Sequence, residues 1–281
     1  MSVLRVADAG SLAGGVLNED AYGVACRAGW VLDGATGLGR NVVSSDSDAA
    51  WFASELSREL QRVLVRCETR DLGELVEEAL AVLAGAYGEA LGDSQIAPYE
   101  FPSAAGMLLR IAPREAELLW LGDCRAFWRE DGELKSAGGG PLQALDAQGV
   151  EALVGFFSAN PHAGLREARE AVWPLLQRFR TMMNQPDGYW IWAPRRNLAA
   201  HASRQRLPRG VGPVLLASDG FTRLWEVFSI ATPEEALDAC ARGQGLALAK
   251  ALRAAETEDA EARRAPRFKQ FDDCTWLCLR V

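Results

Sequence analysis

Acidic side chains recur at the ends of short apolar segments in this sequence. Asp33 follows the apolar residues 30–32, and Asp219 follows the mainly apolar residues 211–217. Short apolar runs are typical of buried strands, and the ends of strands can gather at one edge of a sheet. The full set of acidic residues at such positions is Glu19, Asp20, Asp33, Asp123, Asp219, Asp272 and Asp273. We therefore expect carboxylates that are far apart in the chain to converge in the folded protein.

Converging carboxylates indicate a metal site. They cannot all stay ionised in a cleft of low dielectric constant unless cations neutralise them. Oxygen ligands without histidine or cysteine select hard divalent ions, Mg²⁺ or Mn²⁺, and water on such an ion is a nucleophile for hydrolysis. The alternative for each residue taken singly is a turn, because aspartate before glycine, as at Asp33 and Asp219, readily bonds its own backbone.

The elements that would position these residues arrive in blocks. Strands are predicted within residues 1–34, among them 21–25 and 29–32, and at 106–111, 116–121, 125–129, 188–192, 211–217 and 274–281. Helices are predicted at 46–66, 71–92, 145–185 and 233–257. Because the helices do not alternate with the strands, an α+β layered fold is favoured over a doubly wound one. We predict a single domain that comprises residues 1–281.

Polar, proline and glycine residues mark the ends of these elements. Candidate helix N-caps are Ser47 or Asp46, Asp71, and Thr232 followed by Pro233. A break within residues 145–185 is predicted at Asn160 and Pro161, and turns are predicted after Asp33, at Pro113 and Arg114, and at Gly122 and Asp123. Residues 136–143 are predicted to form a glycine-rich loop.

Composition disfavours several classes of function. The chain has 281 residues, of which 49% are hydrophobic, and a formal net charge of -8. Its apolar content allows a large core, and its acidity makes it a poor non-specific ligand of nucleic acid or of anionic membranes. We see neither a run of about 18 apolar residues, which a membrane span needs, nor an export leader. The six scattered cysteines are therefore expected to be reduced, and the protein to be cytoplasmic.

Five segments, taken in order, resemble a known family. They are NED at residues 18–20, VLDGATG at 31–37, GDCRAFW at 122–128, LLASDGF at 215–221 and DDCTWL at 272–277. Together they resemble the metal-dependent serine/threonine protein phosphatases of type 2C, the PPM family, in their bacterial form. Each segment is weak singly, but the ordered set spans nearly the whole chain. The resemblance implies a four-layer α-β-β-α sandwich with two antiparallel sheets, which agrees with the block order of the elements.

The resemblance also implies a set of metal ligands. Asp33 would bridge two divalent ions, Mn²⁺ or Mg²⁺, and the carbonyl of Gly34 would ligate one of them. Asp219 and Asp272 would ligate the other ion. Asp123, together with Asp219, would help to hold a third, weaker ion, with a turn-forming aspartate as the alternative at Asp123.

Other acidic residues would act on these ligands. By resemblance, Glu19 would hold a metal-bound water, with Asp20 beside it, and Asp273 would orient its neighbour rather than ligate. A bridging hydroxide would attack phosphorus in line, so Asp33, Asp219 and Glu19 are the predicted catalytic residues. The implied function is removal of phosphate from phosphoserine and phosphothreonine in proteins, opposing a serine/threonine kinase. The alternatives are a degenerate module that binds phosphoproteins or a signalling partner, and an enzyme for a small phosphorylated metabolite.

Three positions depart from the family pattern. Ala35 stands where many members have a histidine proposed as general acid, and Thr36 replaces a usual glycine. Gly15 stands where bacterial members usually carry a phosphate-binding arginine, and its absence removes a bidentate clamp. Arg40 is a weak candidate for that role, and a solvated surface arginine is the alternative. We expect an unusual substrate or reduced turnover.

Residues 143–208 form the least family-like segment, at the place of a flap over the cleft. Their aromatic residues, Phe156, Phe157, Trp173, Tyr189, Trp190 and Trp192, are predicted to pack in the core. Their arginines, Arg166, Arg169, Arg178, Arg180, Arg195 and Arg196, form either a substrate or partner surface or the polar faces of two amphipathic helices. His162 and His201 belong to no motif and are interpreted as surface or packing residues.

Overall fold

Strands and helices make up most of the computed structural model, which describes residues 4–35, 37–66, 70–112, 115–208 and 210–281. The strands are β1 (Arg5–Leu12), β2 (Ala21–Ala25), β3 (Ala28–Ala35), β4 (Ser103–Ile111), β5 (Glu115–Leu121), β6 (Arg125–Glu130), β7 (Glu133–Gly138), β8 (Ser203–Pro208), β9 (Pro213–Ala217) and β10 (Cys274–Arg280). The α-helices are α1 (Asp48–Leu64), α2 (Leu72–Leu91), α3 (Pro141–Ala159), α4 (Leu165–Thr181), α5 (Asp219–Glu226), α6 (Pro233–Ala241) and α7 (Gly245–Glu258).

The strands form two five-stranded sheets. The order in one, the β10 sheet, is β1-β10-β9-β6-β7, and the order in the other, the β3 sheet, is β2-β3-β4-β5-β8. Neighbouring strands in both sheets run antiparallel. The chain crosses between the sheets after β1, β5, β7 and β8, so that sequence-distant strands become neighbours.

Apolar clusters on both faces of each sheet define four layers. In β3, Trp30 packs with α1 and α2, whereas the next residue, Val31, packs between the sheets. In β10, Trp276 packs with α5, α6 and α7, whereas Leu277 faces the other sheet. Alternate residues of a strand point to opposite faces, so these two strands carry apolar residues on both faces. The predicted α-β-β-α sandwich is therefore confirmed.

The predicted helix N-caps have the expected geometry. The side chain of Ser47 accepts a hydrogen bond from the Ala50 N–H at the start of α1, and Asp71 accepts two at the start of α2. Thr232 forms a capping box with Glu235, and Pro233 occupies the first turn of α6. The break at Asn160 and Pro161 separates α3 from α4, which share a small apolar cluster of their own.

Several element boundaries differ from the prediction. β3 continues through Ala35, because Asp33, Gly34 and Ala35 pair with Ala105, Ala104 and Ser103 of β4, so the predicted turn after Asp33 was wrong. The strand at residues 125–130, β6, does not pair with its predecessor β5 but joins the β10 sheet, where it pairs with β7 and β9. β7 occupies part of the predicted glycine-rich loop, and β8, a polar edge strand, lacks the apolar alternation that would have revealed it.

The remaining corrections concern residues 188–192, 219–226 and 233–257. The first segment forms only two isolated bridges, through Tyr189 and Trp192. The second is helix α5, which begins at Asp219, and not a turn. The third is two helices, because Gly243 adopts a positive φ of 76° that an α-helix cannot contain. Pro113, Arg114 and Thr36 lie outside the described residues.

Cysteine chemistry was predicted only in part. Cys124, Cys240, Cys274 and Cys278 are free and buried, as expected. Cys26, in the turn between β2 and β3, is disulfide-bonded, so the prediction of reduced thiols was wrong there. Spacing along the chain does not reveal which cysteines approach each other in space. Cys67 lies outside the described residues.

No helix in the described ranges combines the length and the apolar composition that crossing a bilayer requires.

Candidate active site

The end of β3 meets the start of α5 at the edge of the sandwich. Asp33 lies two residues before Ala35, the last residue of β3, and Asp219 is the first residue of α5. The backbone N–H of Asp219 donates a hydrogen bond of 3.2 Å to Oδ2 of Asp33. The two carboxylates, 186 residues apart in sequence, are thus held side by side, as the sequence predicted for this pair.

Ser218 and Thr275 bring the third acidic segment to the same place. The Ser218 N–H donates to the Thr275 carbonyl, and the Thr275 N–H donates to Oγ of Ser218, both at 3.0 Å. These bonds align the end of β9 with the start of β10. A Cβ on Gly220 would lie 1.8 Å from the carbonyl oxygen of Asp273, so only glycine permits this approach.

The loop before β2 is fixed by Asp273. Its carboxylate accepts hydrogen bonds from the backbone N–H of Gly14, at 2.6 Å, and of Glu19, at 2.7 Å. The Glu19 carboxylate in turn accepts a bond of 2.5 Å from Oγ of Ser47, the N-cap of α1. A Cβ on Gly34 would lie 2.2 Å from the Glu19 carbonyl oxygen, so the loop lies tightly against β3. Asp273 therefore fixes the loop that carries Glu19, whereas the predicted role was to orient its neighbour Asp272.

Burial and mutual repulsion disfavour ionisation of four carboxylates. Burial, together with the neighbouring carboxylates, raises the pKa of Asp33 and of Asp123 well above the usual range. The pKa of Asp219 is raised for the same reasons. Burial also raises the pKa of Asp20, more than the nearby Thr275 hydroxyl lowers it, and neither carboxylate oxygen of Asp20 has a well-oriented partner among the described residues.

These four carboxylates fit a divalent cation. Mg²⁺ and Mn²⁺ bind hard oxygen donors. These carboxylates lie close together and half-buried, with little positive charge nearby to neutralise them. Within the described parts of the chain, however, no three acidic, histidine or cysteine side chains are already arranged to hold an ion. Binding would therefore require the carboxylates to draw closer together.

Asp146 belongs to the same cleft, although the sequence did not reveal it. It lies in α3, and burial together with the charges of Asp219 and Asp272 raises its pKa to about 7. Asp146 also raises the pKa of Asp123, which places the two carboxylates near each other. No motif or strand end marks Asp146, because α3 belongs to the segment least like the resembled family.

Asp272 differs from the other acidic residues. Its Oδ2 accepts from Nη2 of Arg223 at 2.5 Å, and its Oδ1 accepts from Nζ of Lys269 at 3.1 Å. Burial alone would raise the pKa of Asp272, but Lys269 and Arg223 outweigh it and lower the pKa. Both carboxylate oxygens of Asp272 are thus already paired with basic side chains, unlike those of the other predicted metal ligands in the described part of the chain.

A cleft of about 640 Å³ lies along one side of this cluster, and neither Asp20 nor Asp33 is among its lining residues. Acidic and basic side chains line it together, and they include Asp123, Asp146, Asp219, Asp272, Arg223 and Lys269. Such a cleft can hold a cation at its acidic side and an anion beside its basic side.

Solved structures similar to this chain include bacterial serine/threonine phosphatases. PstP/Ppp of Mycobacterium tuberculosis aligns with a TM-score of 0.56 and 16% identity, over 100% of this chain and 99% of its own. The PstP catalytic domain in complex with two manganese ions gives 0.54 and 19%, over 99% and 98%. Stp1 of Staphylococcus aureus gives 0.56 and 11%, over 100% and 96%. This chain has the PPM phosphatase fold.

No protein-family model and no curated protein matches the sequence. The similarity to these solved structures nevertheless confirms the resemblance that the five ordered segments predicted.

Ala35, which stands where many members of the family have a histidine, is contacted by Arg180, a contact that the sequence did not predict. Ala35 ends β3, and its carbonyl accepts a bond of 3.3 Å from Nη2 of Arg180 in α4. The same guanidinium donates to the Phe101 carbonyl at 2.7 Å and to Oγ of Ser103 at 3.2 Å. Burial lowers the pKa of Arg180. Arg180 is therefore an internal clamp and not part of a substrate surface.

The other arginines of the flap-like segment lie outward. Arg166 pairs with Glu170, and Arg169 and Arg195 lie over the rings of Trp173 and Phe101. Among the aromatic residues of the segment, Phe157, Tyr189 and Trp192 are buried, as predicted, whereas Phe156, Trp173 and Trp190 are only half-buried. His201 stacks on Trp190, which makes it a packing residue.

Neither candidate for phosphate recognition enters the acidic cluster. Arg40 is exposed and donates to the carbonyl of Gln95 at 3.1 Å. Gly15 is exposed, with no atom within 4 Å of the place a Cβ would take. Two of the basic residues that line the cleft, Arg223 and Lys269, contact Asp272, and the sequence analysis missed both. Their signal was available, since they stand four residues after Asp219 and three before Asp272.

Proposed function

We propose that this protein is a divalent-metal-dependent phosphomonoester hydrolase that removes phosphate from phosphoserine and phosphothreonine in proteins. The observation that carries the proposal is the half-buried group of Asp20, Asp33, Asp123 and Asp219, whose pKa values are raised by partial burial and mutual repulsion, in a chain with the PPM fold. The solved structures of this fold are described as serine/threonine phosphatases, which supports the substrate class. An opposing kinase is part of the proposal.

Asp33, Asp219 and Asp123 would hold the cation, with the Gly34 carbonyl beside them. When bound, a divalent cation supplies positive charge to the phosphoryl oxygens and makes water a better nucleophile. The chain itself positions these ligands, because the Asp219 N–H holds Asp33, and Asp273 and Ser47 hold Glu19. Lys269 and Arg223 present positive charge to the same cleft, where a phosphoryl group would lie.

Ala35 provides no proton for the leaving group. We therefore expect phosphoesters with acidic leaving groups to be the best small substrates. Phosphorylated serine and threonine have poor leaving groups, so their turnover would be slower.

Hydrolysis of p-nitrophenyl phosphate, with Mn²⁺ and with EDTA, tests the proposal. We expect Mn²⁺-dependent turnover in the natural protein and none above background for Asp33→Asn. Asp93→Asn, at an exposed position outside the cleft, is the matched control and should keep full activity. Absence of turnover in folded protein at millimolar Mn²⁺ would reject the hydrolase.

A second candidate is a degenerate module that binds phosphoproteins without hydrolysing them. Two observations favour it, namely the missing acid at Ala35 and the ion pairs that bind both oxygens of Asp272. This function predicts binding of phosphoserine peptides by the protein without release of inorganic phosphate. Release of phosphate from those peptides that depends on Mn²⁺ and on Asp33 would exclude it.

A further inference from the structure

A network of charged side chains surrounds Asp272. Arg223 bridges Asp272 and Glu256, with distances of 2.5 and 3.0 Å. Arg253 binds the other oxygen of Glu256 at 2.5 Å and also donates to the backbone carbonyl of Asp272. Lys269 completes the network at 3.1 Å from Asp272. The network thus contains three basic side chains and two carboxylates, so its net charge is positive.

The centre of this network lies in the protein interior, whereas Lys269 joins it from a half-exposed position. The side chain of Glu256 is fully buried and that of Arg223 is 10% exposed. A metal ion at Asp272 would have to share the carboxylate with Arg223, which is nearly buried and would lose a partner if it moved away. Its own positive charge would also repel the ion.

The network arises from short-range spacing in the sequence. Arg223 lies one turn after Asp219 on α5, and Lys269 lies three residues before Asp272. Both basic side chains therefore reach Asp272 from the segments that carry the acidic motifs themselves. Asp33, Asp123 and Asp219, in contrast, form no ion pair with a basic side chain in the described part of the chain.

We propose that Arg223 and Lys269 permanently take the place of the metal ion at Asp272, so that the cleft binds one divalent cation, at Asp33, Asp219 and Asp123. This inference rests on the proposed metal-dependent function and specifies its ion content. It makes Asp272 a positioning residue that holds two resident cations beside the cleft. The positive charge that a second ion would supply to an anionic ligand then comes from the chain.

The stoichiometry of Mn²⁺ binding tests the proposal, measured by isothermal titration calorimetry on the full chain and by electron paramagnetic resonance. We expect one ion per chain, with a spectrum that lacks spin coupling between neighbouring Mn²⁺ ions. Asp272→Asn should retain one ion with its Kd changed by less than about threefold. Asp33→Asn should weaken that ion at least tenfold. Circular dichroism establishes that each variant is folded.

Each outcome decides the matter. One ion that survives Asp272→Asn and is lost in Asp33→Asn supports the proposal. Two coupled ions in the natural protein overturn it, whether or not the Asp272 variant folds, and leave the proposed hydrolase intact. One ion that is lost in Asp272→Asn also overturns it, because Asp272 would then be a ligand. Absence of any Mn²⁺ binding removes both this proposal and the metal-dependent function.

Discussion

At the scale of single residues, two glycines determine how closely the acidic segments approach. Gly34 allows the Glu19 backbone to contact β3, and Gly220 allows the Asp273 backbone to contact α5. Neither glycine has a positive φ, so it is the absence of a Cβ, and not backbone freedom, that these positions require. The glycine after each motif aspartate thus has a steric role in assembling the carboxylates.

Gly220→Ala should therefore be destabilising, because its Cβ would overlap a backbone oxygen that cannot easily move. We expect a loss of about 2–3 kcal/mol in the free energy of unfolding, measured by urea denaturation, together with weaker Mn²⁺ binding. The matched control is Gly85→Ala, at an exposed position in α2 with open space around it. That change should stabilise the protein by up to about 1 kcal/mol. Equal effects of the two changes would contradict the steric argument.

At the scale of elements, Arg180 joins α4 to the sheet edge that carries Asp33. Its guanidinium donates to the last residue of β3, to the first residue of β4 and to the Phe101 carbonyl between α2 and β4. The fixed fork of an arginine can satisfy three such acceptors, which a single lysine ammonium cannot do in this geometry. The flap-like segment is thereby attached to the end of β3, two residues beyond Asp33.

Arg180→Met should release this attachment while keeping the aliphatic part of the side chain. The acceptors would be left without donors, so we expect a loss of about 2–4 kcal/mol in unfolding free energy. The Mn²⁺-dependent rate with p-nitrophenyl phosphate should also fall, since β3 ends next to Asp33. Arg178→Met, two residues earlier on the exposed face of α4, is the control and should change neither quantity. An unaffected rate and stability in Arg180→Met would show that the clamp has no role.

At the scale of the whole molecule, the fold brings together more carboxylates than nearby basic side chains can neutralise. Asp20, Asp33, Asp123, Asp146 and Asp219 come from separate segments and share one partly buried region. Carboxylates whose folded-state pKa is raised bind protons more tightly in the folded than in the unfolded chain. Their ionisation therefore lowers the stability of the metal-free protein as the pH rises.

Asp146 allows this effect to be measured at one residue. Its pKa is about 7 in the folded protein against an ordinary value of 3.8, so its penalty is absent below about pH 4 and complete above pH 7. We expect Asp146→Asn to raise the unfolding free energy at pH 8 in EDTA by about 1–3 kcal/mol, and this gain to shrink as the pH approaches 4. Asp187→Asn, at an exposed position, should show no such dependence. A gain for Asp146→Asn that is independent of pH would contradict the electrostatic cause.

Much of the architecture could be predicted because local patterns determine it. The helical spacing of Leu56 and Leu60 and the caps at Ser47 and Asp71 located α1 and α2 within two residues. The strands that were missed or misplaced, β7 and β8, lie at sheet edges, where few residues must be apolar. Helix α5 was missed because it is short and begins within the motif SDG, which in isolation is typical of a turn.

The sequence by itself determined the layered fold and the identity of the acidic residues, since apolar periodicity and ordered motifs are properties of the chain. Only the tertiary structure decided which partners these residues meet. It brought Arg223 and Lys269 to Asp272, left Asp20 without a well-oriented partner, and added Asp146 from a segment without a motif. The physical reason is that a carboxylate's chemistry depends on burial and on charges a few ångströms away, and these neighbours come from elements distant in sequence.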